Sequence, residues 1–227
     1  DLTELKALES QAELRKRLSS LGEMSAGIAH ELRNPLGVIA GYTKLLSRKA
    51  DAALIPTVEA ISKEIEVMDR IISDFLSFAR PVELILSKIN LNEVINSCVS
   101  SIAGVSGSVE VLLDIDKSVF ISGDEILLRQ AFTNLIQNAA DAIKGGGKLS
   151  FGYAKTRSYA EITVSDTGHG ISEGIKDKIF LPFYTTKEKG TGLGLAIVHK
   201  IIVSHGGAVS VERADKGTIF RIKLPES

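Results

Sequence analysis

The hydrophobic period of this chain changes once, at Pro81, and that change limits the folds open to it. Before it, Leu14, Leu18, Leu21, Ile28, Leu32, Ile39 and Leu46 recur at steps near three and four, the mark of one apolar helical face. A small, polar stretch from Arg48 to Pro56 interrupts the pattern. It then resumes with Ile61, Ile65, Met68, Ile72, Phe75 and Ala79. Proline disfavours helical backbone in the residue before it, so Pro81 closes the second helix. Two long amphipathic helices on a short connection predict an antiparallel hairpin. A lone hairpin leaves its apolar stripe half covered. Two hairpins paired as a four-helix bundle cover it, so a homodimer is expected.

Beyond Pro81 the runs are short and β-rich: Leu84–Ile89, Val109–Ile115, Val119–Ile121, Lys148–Ala154, Ala160–Ser165, Ala208–Glu212 and Thr218–Leu224. Helical stretches at Asn92–Ile102, Asp124–Ile143 and Leu193–His205 separate them. That order predicts an α/β sandwich, a mixed sheet packed on helices. The fold class expected for the whole is thus α + α/β, with a helical linker over 1–13, a hairpin domain over 14–81 and an α/β domain over 82–227.

Composition excludes several alternatives. Apolar residues make up 44% and charged residues 24%, an ordinary globular balance rather than a disordered one. A net charge of −1 gives no basic field for nucleic acid or anionic lipid. One cysteine, Cys98, permits no intrachain disulfide and fits a reducing compartment. No apolar run is long enough for a bilayer span, so a soluble, cytoplasmic piece without membrane contact is expected; a membrane-anchored parent protein stays compatible with it.

Two constellations carry chemistry. In the first helix stands His30-Glu31-Leu32-Arg33-Asn34-Pro35. His30 falls two residues after the stripe residue Ile28, off the apolar face. Glu31 is suited to polarise one ring nitrogen and make the other more nucleophilic. Asn34, at i+4 on the same face, is suited to hold water beside a group carried by His30. Pro35 lacks an N–H and permits a kink. A zinc protease needs histidine at position 34, where asparagine stands. An exposed histidine with no task is the bland alternative.

The second constellation is spread over the α/β half. Asn134 and Asn138 stand at i and i+4 on one helix, with Asp141 a turn further, and carboxamide oxygens suit magnesium. The strand Glu161–Ser165 runs into Asp166-Thr167-Gly168-His169-Gly170, an acid followed by glycines that admit close backbone approach. Lys187-Glu188-Lys189-Gly190-Thr191-Gly192-Leu193-Gly194 then opens an apolar helix, where backbone N–H groups and the helix dipole favour an anion. This loop is neither a Walker A sequence nor a dinucleotide fingerprint, which needs glycine where Leu195 stands.

Together these segments resemble the sensor histidine kinases, in order and in spacing, from about Leu14 to Pro225. Met24 to Leu36 resembles the H box and Asn134 to Ala142 the N box. Asp166 to Ile171 and Gly190 to Leu195 resemble the two glycine boxes, with Ile179-Phe180-Leu181-Pro182-Phe183 similar to the F box between them. Thr185-Thr186-Lys187 and Arg33-Asn34 look closest to the nitrogen-regulation-type subgroup. The resemblance implies a dimerisation and histidine-phosphotransfer hairpin followed by a Bergerat-type ATP-binding domain. It implies ATP and Mg2+ as ligands, autophosphorylation on His30, and relay to an aspartate on a response regulator receiver domain. By position, Asp166 is expected to read the adenine amino group, with Gly168, Gly170 and Ile171 beside it and Thr218 closing the pocket. Asn138 is the expected magnesium ligand, with Asn134 and Asp141 nearby. Thr185, Thr186, Lys187, Gly190, Thr191, Gly192, Leu193, Gly194 and Leu195 are expected over the triphosphate. Glu31 is the expected base, and Asn34 the residue that aligns water in a reverse, phosphatase reaction. Asp1-Leu2-Thr3-Glu4 resembles the exit of a PAS sensor domain, though a plain helix start explains it equally. An ATPase that drives conformational change and a catalytically silent scaffold are the rival readings.

Overall fold

The computed structural model describes residues 31–101, 109–143, 145–156, 158–187 and 190–225. His30, the stripe residues Leu14 to Ile28 and the 1–13 linker lie outside them. The chain divides into two compact units, Asp1–Pro81 and Val82–Ser227.

In the first unit, α1 is helical over its described part, 31–47, and runs through Pro35. Helix α2 spans Ile55–Ala79, with Pro56 in its first turn, where a missing N–H costs nothing. It ends where expected: Arg80 before Pro81 is extended, with φ −65° and ψ 139°. Between the two helices the Arg33 guanidinium donates to Asp69 Oδ1 at 3.0 Å and to the Ser73 hydroxyl at 2.5 Å. The apolar stripe stays open: Leu32, Ile39 and Leu46 on α1 and Ile61 and Met68 on α2 are all exposed.

The second unit holds a five-stranded sheet in the order β2-β4-β5-β7-β6: β2 Val109–Asp114, β4 Gly147–Lys155, β5 Tyr159–Asp166, β7 Thr218–Pro225 and β6 Ala208–Arg213. The β2–β4 pair is parallel and the other three pairs antiparallel, so the sheet is mixed as expected. Burial alternates residue by residue along β5 and β7, which identifies the covered face. Helices α3 Leu91–Ser101, α4 Glu125–Ala142 and α5 Gly194–Ser204 supply the rest of the core. Phe132, Leu135 and Ile136 of α4 and Ile197 and Ile201 of α5 are buried with Leu149, Phe151, Ile162 and Ile222 of the sheet.

Two expected strands shift. The run Leu84–Ile89 forms β1 only over Ser87–Asn90, paired antiparallel with β3, Phe120–Gly123, in a small sheet of their own. Ile85 stays out because its N–H donates to Asp124 Oδ2 at 3.0 Å and its side chain is exposed. Asp124 is the N-cap of α4 rather than a helical residue: its Oδ1 accepts from Leu127 N–H at 3.1 Å.

Candidate nucleotide site

The C-terminal half of α4 is the spine along which the predicted residues meet. The Asn134 side chain donates to the Gly194 carbonyl at 3.3 Å, joining α4 to the start of α5. One turn on, Lys187 Nζ donates to Asn138 Oδ1 at 2.8 Å and to Asp141 Oδ2 at 2.7 Å, while Asp141 Oδ1 accepts from Gln137 at 2.8 Å. At the last turn, His169 N–H donates to the Ala142 carbonyl at 3.4 Å. Gly168 lies so close to Ala142 that an added Cβ would stand 2.6 Å from the Ala142 Cβ. Glycine is therefore required there by space.

Asp166 ends β5, opposite Thr218 of β7 in the register, and both are buried. Asp166 Oδ1 accepts from Gly168 N–H at 2.8 Å, closing a turn over the carboxylate. Burial pushes its pKa above the usual carboxylate range; the Gly168 N–H and the Thr218 hydroxyl and N–H pull the other way without cancelling it. A buried carboxylate beside a glycine turn suits a neutral hydrogen-bond donor arriving from a flat ligand.

The loop ahead of α5 is held tightly. Phe183 has a positive φ of 65° and donates its N–H to the Gly192 carbonyl at 3.0 Å. A non-glycine residue in that region stores strain, which is typical of segments shaped for a ligand. Gly192 has φ +68°, and any Cβ on it would overlap the Phe183 backbone. The Thr185 hydroxyl accepts from Lys187 N–H at 3.0 Å, and the Thr191 hydroxyl from Leu193 N–H at 3.2 Å. Leu193 is buried, whereas Thr185, Thr186 and Lys187 are exposed, and Gly190, Leu195 and Ile171 are half-buried. Gly170 has φ +75°, and a Cβ on it would stand 3.0 Å from the Gly217 carbonyl oxygen.

The site thus gathers Asn134, Asn138, Asp141, Lys187 and Gly194 around α4, and Asp166, Gly168, Gly170 and Thr218 around the end of β5. Thr186 has no described bond to the others. Glu31 and Asn34 are exposed on α1 of the first unit. One residue at this site and one behind it escaped the sequence reading. Gly217, φ +87°, lies against the Asp166 backbone so closely that a Cβ would overlap the Asp166 carbonyl. Its signal was only a glycine ahead of a late strand. His205 is buried at the far end of α5, and the His205-Gly206-Gly207 run after an apolar helix was its one trace.

Whether a divalent cation suits the site is answered by Lys187. Its ammonium is a cation already seated on the oxygens of Asn138 and Asp141, so those donors face positive charge. Among the described residues no cluster of three His, Cys, Asp or Glu side chains is placed to hold a metal. A cation here would therefore complete its shell with ligand phosphates and water, as magnesium does.

Known proteins resemble this chain in sequence and in fold. Residues 20–83 match the His Kinase A (phospho-acceptor) domain, and residues 123–227 match the histidine kinase-, DNA gyrase B- and HSP90-like ATPase family. The sensor histidine kinase ZraS of Escherichia coli (strain K12) is 35% identical over 224 residues, covering 96% of this chain and 48% of that protein. The structure of full-length ShkA in complex with AMPPNP aligns with a TM-score of 0.77 at 26% identity, over 90% of this chain and 46% of that one. Histidine kinase ThkA, in complex with the response regulator protein TrrA, aligns at 0.68 and 30% identity, over all of this chain and 68% of its own. The chain belongs to the sensor histidine kinases, and its α/β unit has their ATPase fold. It spans about half the length of the curated relatives it matches.

Proposed function

We propose that this protein binds Mg2+·ATP in its α/β unit, transfers the γ-phosphate to His30, and passes it to an aspartate of a response regulator. The observation that carries the reading is the convergence on one half of α4: Asn134 with Gly194, Asn138 and Asp141 with Lys187, and Ala142 with the Asp166–Gly168 turn. Asp166 accepts from the adenine amino group, and Thr218 keeps the carboxylate oriented. The glycines at 168 and 170 let the base approach the backbone, with Ile171 beside it. The N–H groups from Gly190 to Leu195 receive phosphate oxygens at the start of α5. Lys187 exchanges its carboxylate partner for a phosphate, and Thr185 holds the turn that presents it. Bound to Asn138, magnesium supplies charge neutralisation for the phosphates.

His30 attacks the γ-phosphorus through a ring nitrogen while the bond to the β-phosphate oxygen breaks and ADP leaves. Glu31 takes the role of base, and Asn34 aligns water for a phosphatase reaction toward the regulator. The TrrA complex of ThkA supports a receiver domain as the partner of this chain. The hairpin acts as a homodimer: its exposed stripe of Leu32, Ile39, Leu46, Ile61 and Met68 is the surface a second hairpin covers. The domains fall at 14–81 and 82–227, after the 1–13 linker. Thr185-Thr186-Lys187 with Arg33-Asn34 supports the nitrogen-regulation-like subgroup. Among the described residues no helix is long and apolar enough to cross a membrane, in keeping with a cytoplasmic role for this portion.

The test is label transfer from γ-labelled ATP with Mg2+, comparing the chain with His30→Gln. Acid-labile label on the chain and none on the variant is expected. Label retained by the variant moves the acceptor elsewhere, release of free phosphate alone identifies an ATPase, and neither product identifies a silent scaffold.

A further inference from the structure

Helices α4 and α5 run antiparallel and are pinned to each other at both ends of α5. At the site end, the pin is Asn134 to the Gly194 carbonyl. At the other end, His205, the C-cap of α5, accepts the Asp124 N–H on Nε2 at 2.9 Å, while its Nδ1 lies 2.8 Å from the Ile201 carbonyl. These two partners fix the ring. Nδ1 carries the proton and donates to a carbonyl; Nε2 is bare and accepts from an amide. Asp124 is also the N-cap of α4, and its Oδ2 receives the Ile85 N–H, four residues beyond Pro81. An unbroken path therefore runs from the leading segment of the α/β unit through Asp124 and His205 into both helices that frame the nucleotide site.

We propose that His205 is a positioning residue for that site, acting through Asp124 and the α4–α5 pair, and that its neutral, Nδ1-protonated form is required for full nucleotide affinity. The inference rests on the nucleotide reading above. From Asp124 to Asn134 is ten residues, or about 15 Å of helix, so the effect is transmitted rather than direct. A register shift at the capped end moves Asn134, Asn138 and Gly194 together, because the helices are rigid and share one packed interface.

Protonation of Nε2 removes the acceptor that the Asp124 N–H uses and sets two donors against each other. The groups that face the ring are the Asp124 backbone and carboxylate from α4, Gly123 from β3 and the Ile201 carbonyl from α5. The charged residues Arg221 and Lys223 of β7 and Glu212 of β6 engage one another and Glu161 instead, with Arg221, Lys223 and Glu161 on the uncovered face of the sheet. Asp124 accepts from Ile85 and Leu127 in its ionised form. Burial raises its pKa and these N–H donors more than offset that, so the carboxylate is held below its ordinary value.

The test measures Mg2+·ADP affinity from neutral to acid pH for the chain, His205→Gln and His205→Leu, with nitrogen NMR of His205 in the nucleotide-free protein. The Gln carbonyl oxygen reaches the place of Nε2 and does not titrate. His205→Gln is expected to keep neutral-pH affinity and to lessen the acid loss of the parent chain, leaving only the part that protonation of Asp166 causes. His205→Leu is expected to bind about threefold to thirtyfold more weakly at every pH, and NMR to show the Nδ1–H tautomer. If His205→Leu fails to fold, the acid limb of His205→Gln and the tautomer still decide. The same acid loss in His205→Gln as in the parent chain overturns the inference, as does an Nε2–H tautomer. Absence of Mg2+·ADP binding by the parent chain overturns the nucleotide reading itself, and this inference with it.

Discussion

Asp166→Asn is expected to weaken nucleotide binding while stabilising the empty domain. The carboxylate is buried at the end of β5, with Oδ1 already accepting the Gly168 N–H. In the variant the amide oxygen keeps that bond, but the second terminal atom becomes an NH2 donor. An adenine amino group brought to this position then meets a donor instead of a charged acceptor. A hydrogen bond to a charged partner contributes about 1.5–3 kcal/mol, so affinity for Mg2+·ADP should fall roughly 10- to 150-fold. The stability effect has the opposite sign. Burial raises the folded-state pKa of Asp166, so its favourable contribution is complete below the unfolded pKa and is lost as pH rises through the folded one. At neutral pH the ionised group therefore costs stability; the asparagine cannot ionise and removes that cost, and the Thr218 hydroxyl is expected to turn and accept from its NH2, so that only the Thr218 N–H bond is given up. The melting temperature of the nucleotide-free variant should exceed that of the parent at pH 7, and the gap should close in acid, where Asp166 is protonated. Calorimetric titration with Mg2+·ADP and melting curves across pH measure both. Unchanged affinity would refute the adenine-reading role. A lower melting temperature at pH 7 would refute the claim that desolvation outweighs the three donors.

Two further substitutions test the frame around that carboxylate. Lys187→Ala removes a half-exposed ion pair with Asp141, worth at most about 1 kcal/mol, so denaturant stability should hardly change. Nucleotide affinity should nonetheless drop roughly tenfold through the lost phosphate contact; equal affinity would show that Lys187 only decorates α4. Gly217→Ala places a Cβ against the Asp166 carbonyl at a φ of +87°, and should cost at least about 2 kcal/mol in urea unfolding together with a loss of nucleotide binding. A stable variant with normal binding would mean that the β5–β7 end is not rigid.

Much of this protein was legible in its residues because the signals are local. Helical spacing up to Ala79, the stop at Arg80 and Pro81, and the alternation along Tyr159–Asp166 and Thr218–Pro225 follow from backbone geometry and hydrophobic periodicity. The glycine loop before α5 and the carboxamides on α4 were visible in the same way as candidate residues. Other features depend on partners far apart in the chain. That Leu84–Ile89 contributes only its last residues to a separate two-stranded sheet was decided by Asp124, 39 positions from Ile85. Lys187 reaches Asn138 across 49 positions, and His205 reaches Asp124 across 81. No spacing rule carries such pairs. The His205 pair exists because packing brings α4 and α5 together, and buried polar groups there must find a partner wherever the fold supplies one. The residue types that can serve a nucleotide were set by the sequence; which of them face one another, and that His205 ties the end of α5 to the start of α4 behind them, was decided by tertiary structure.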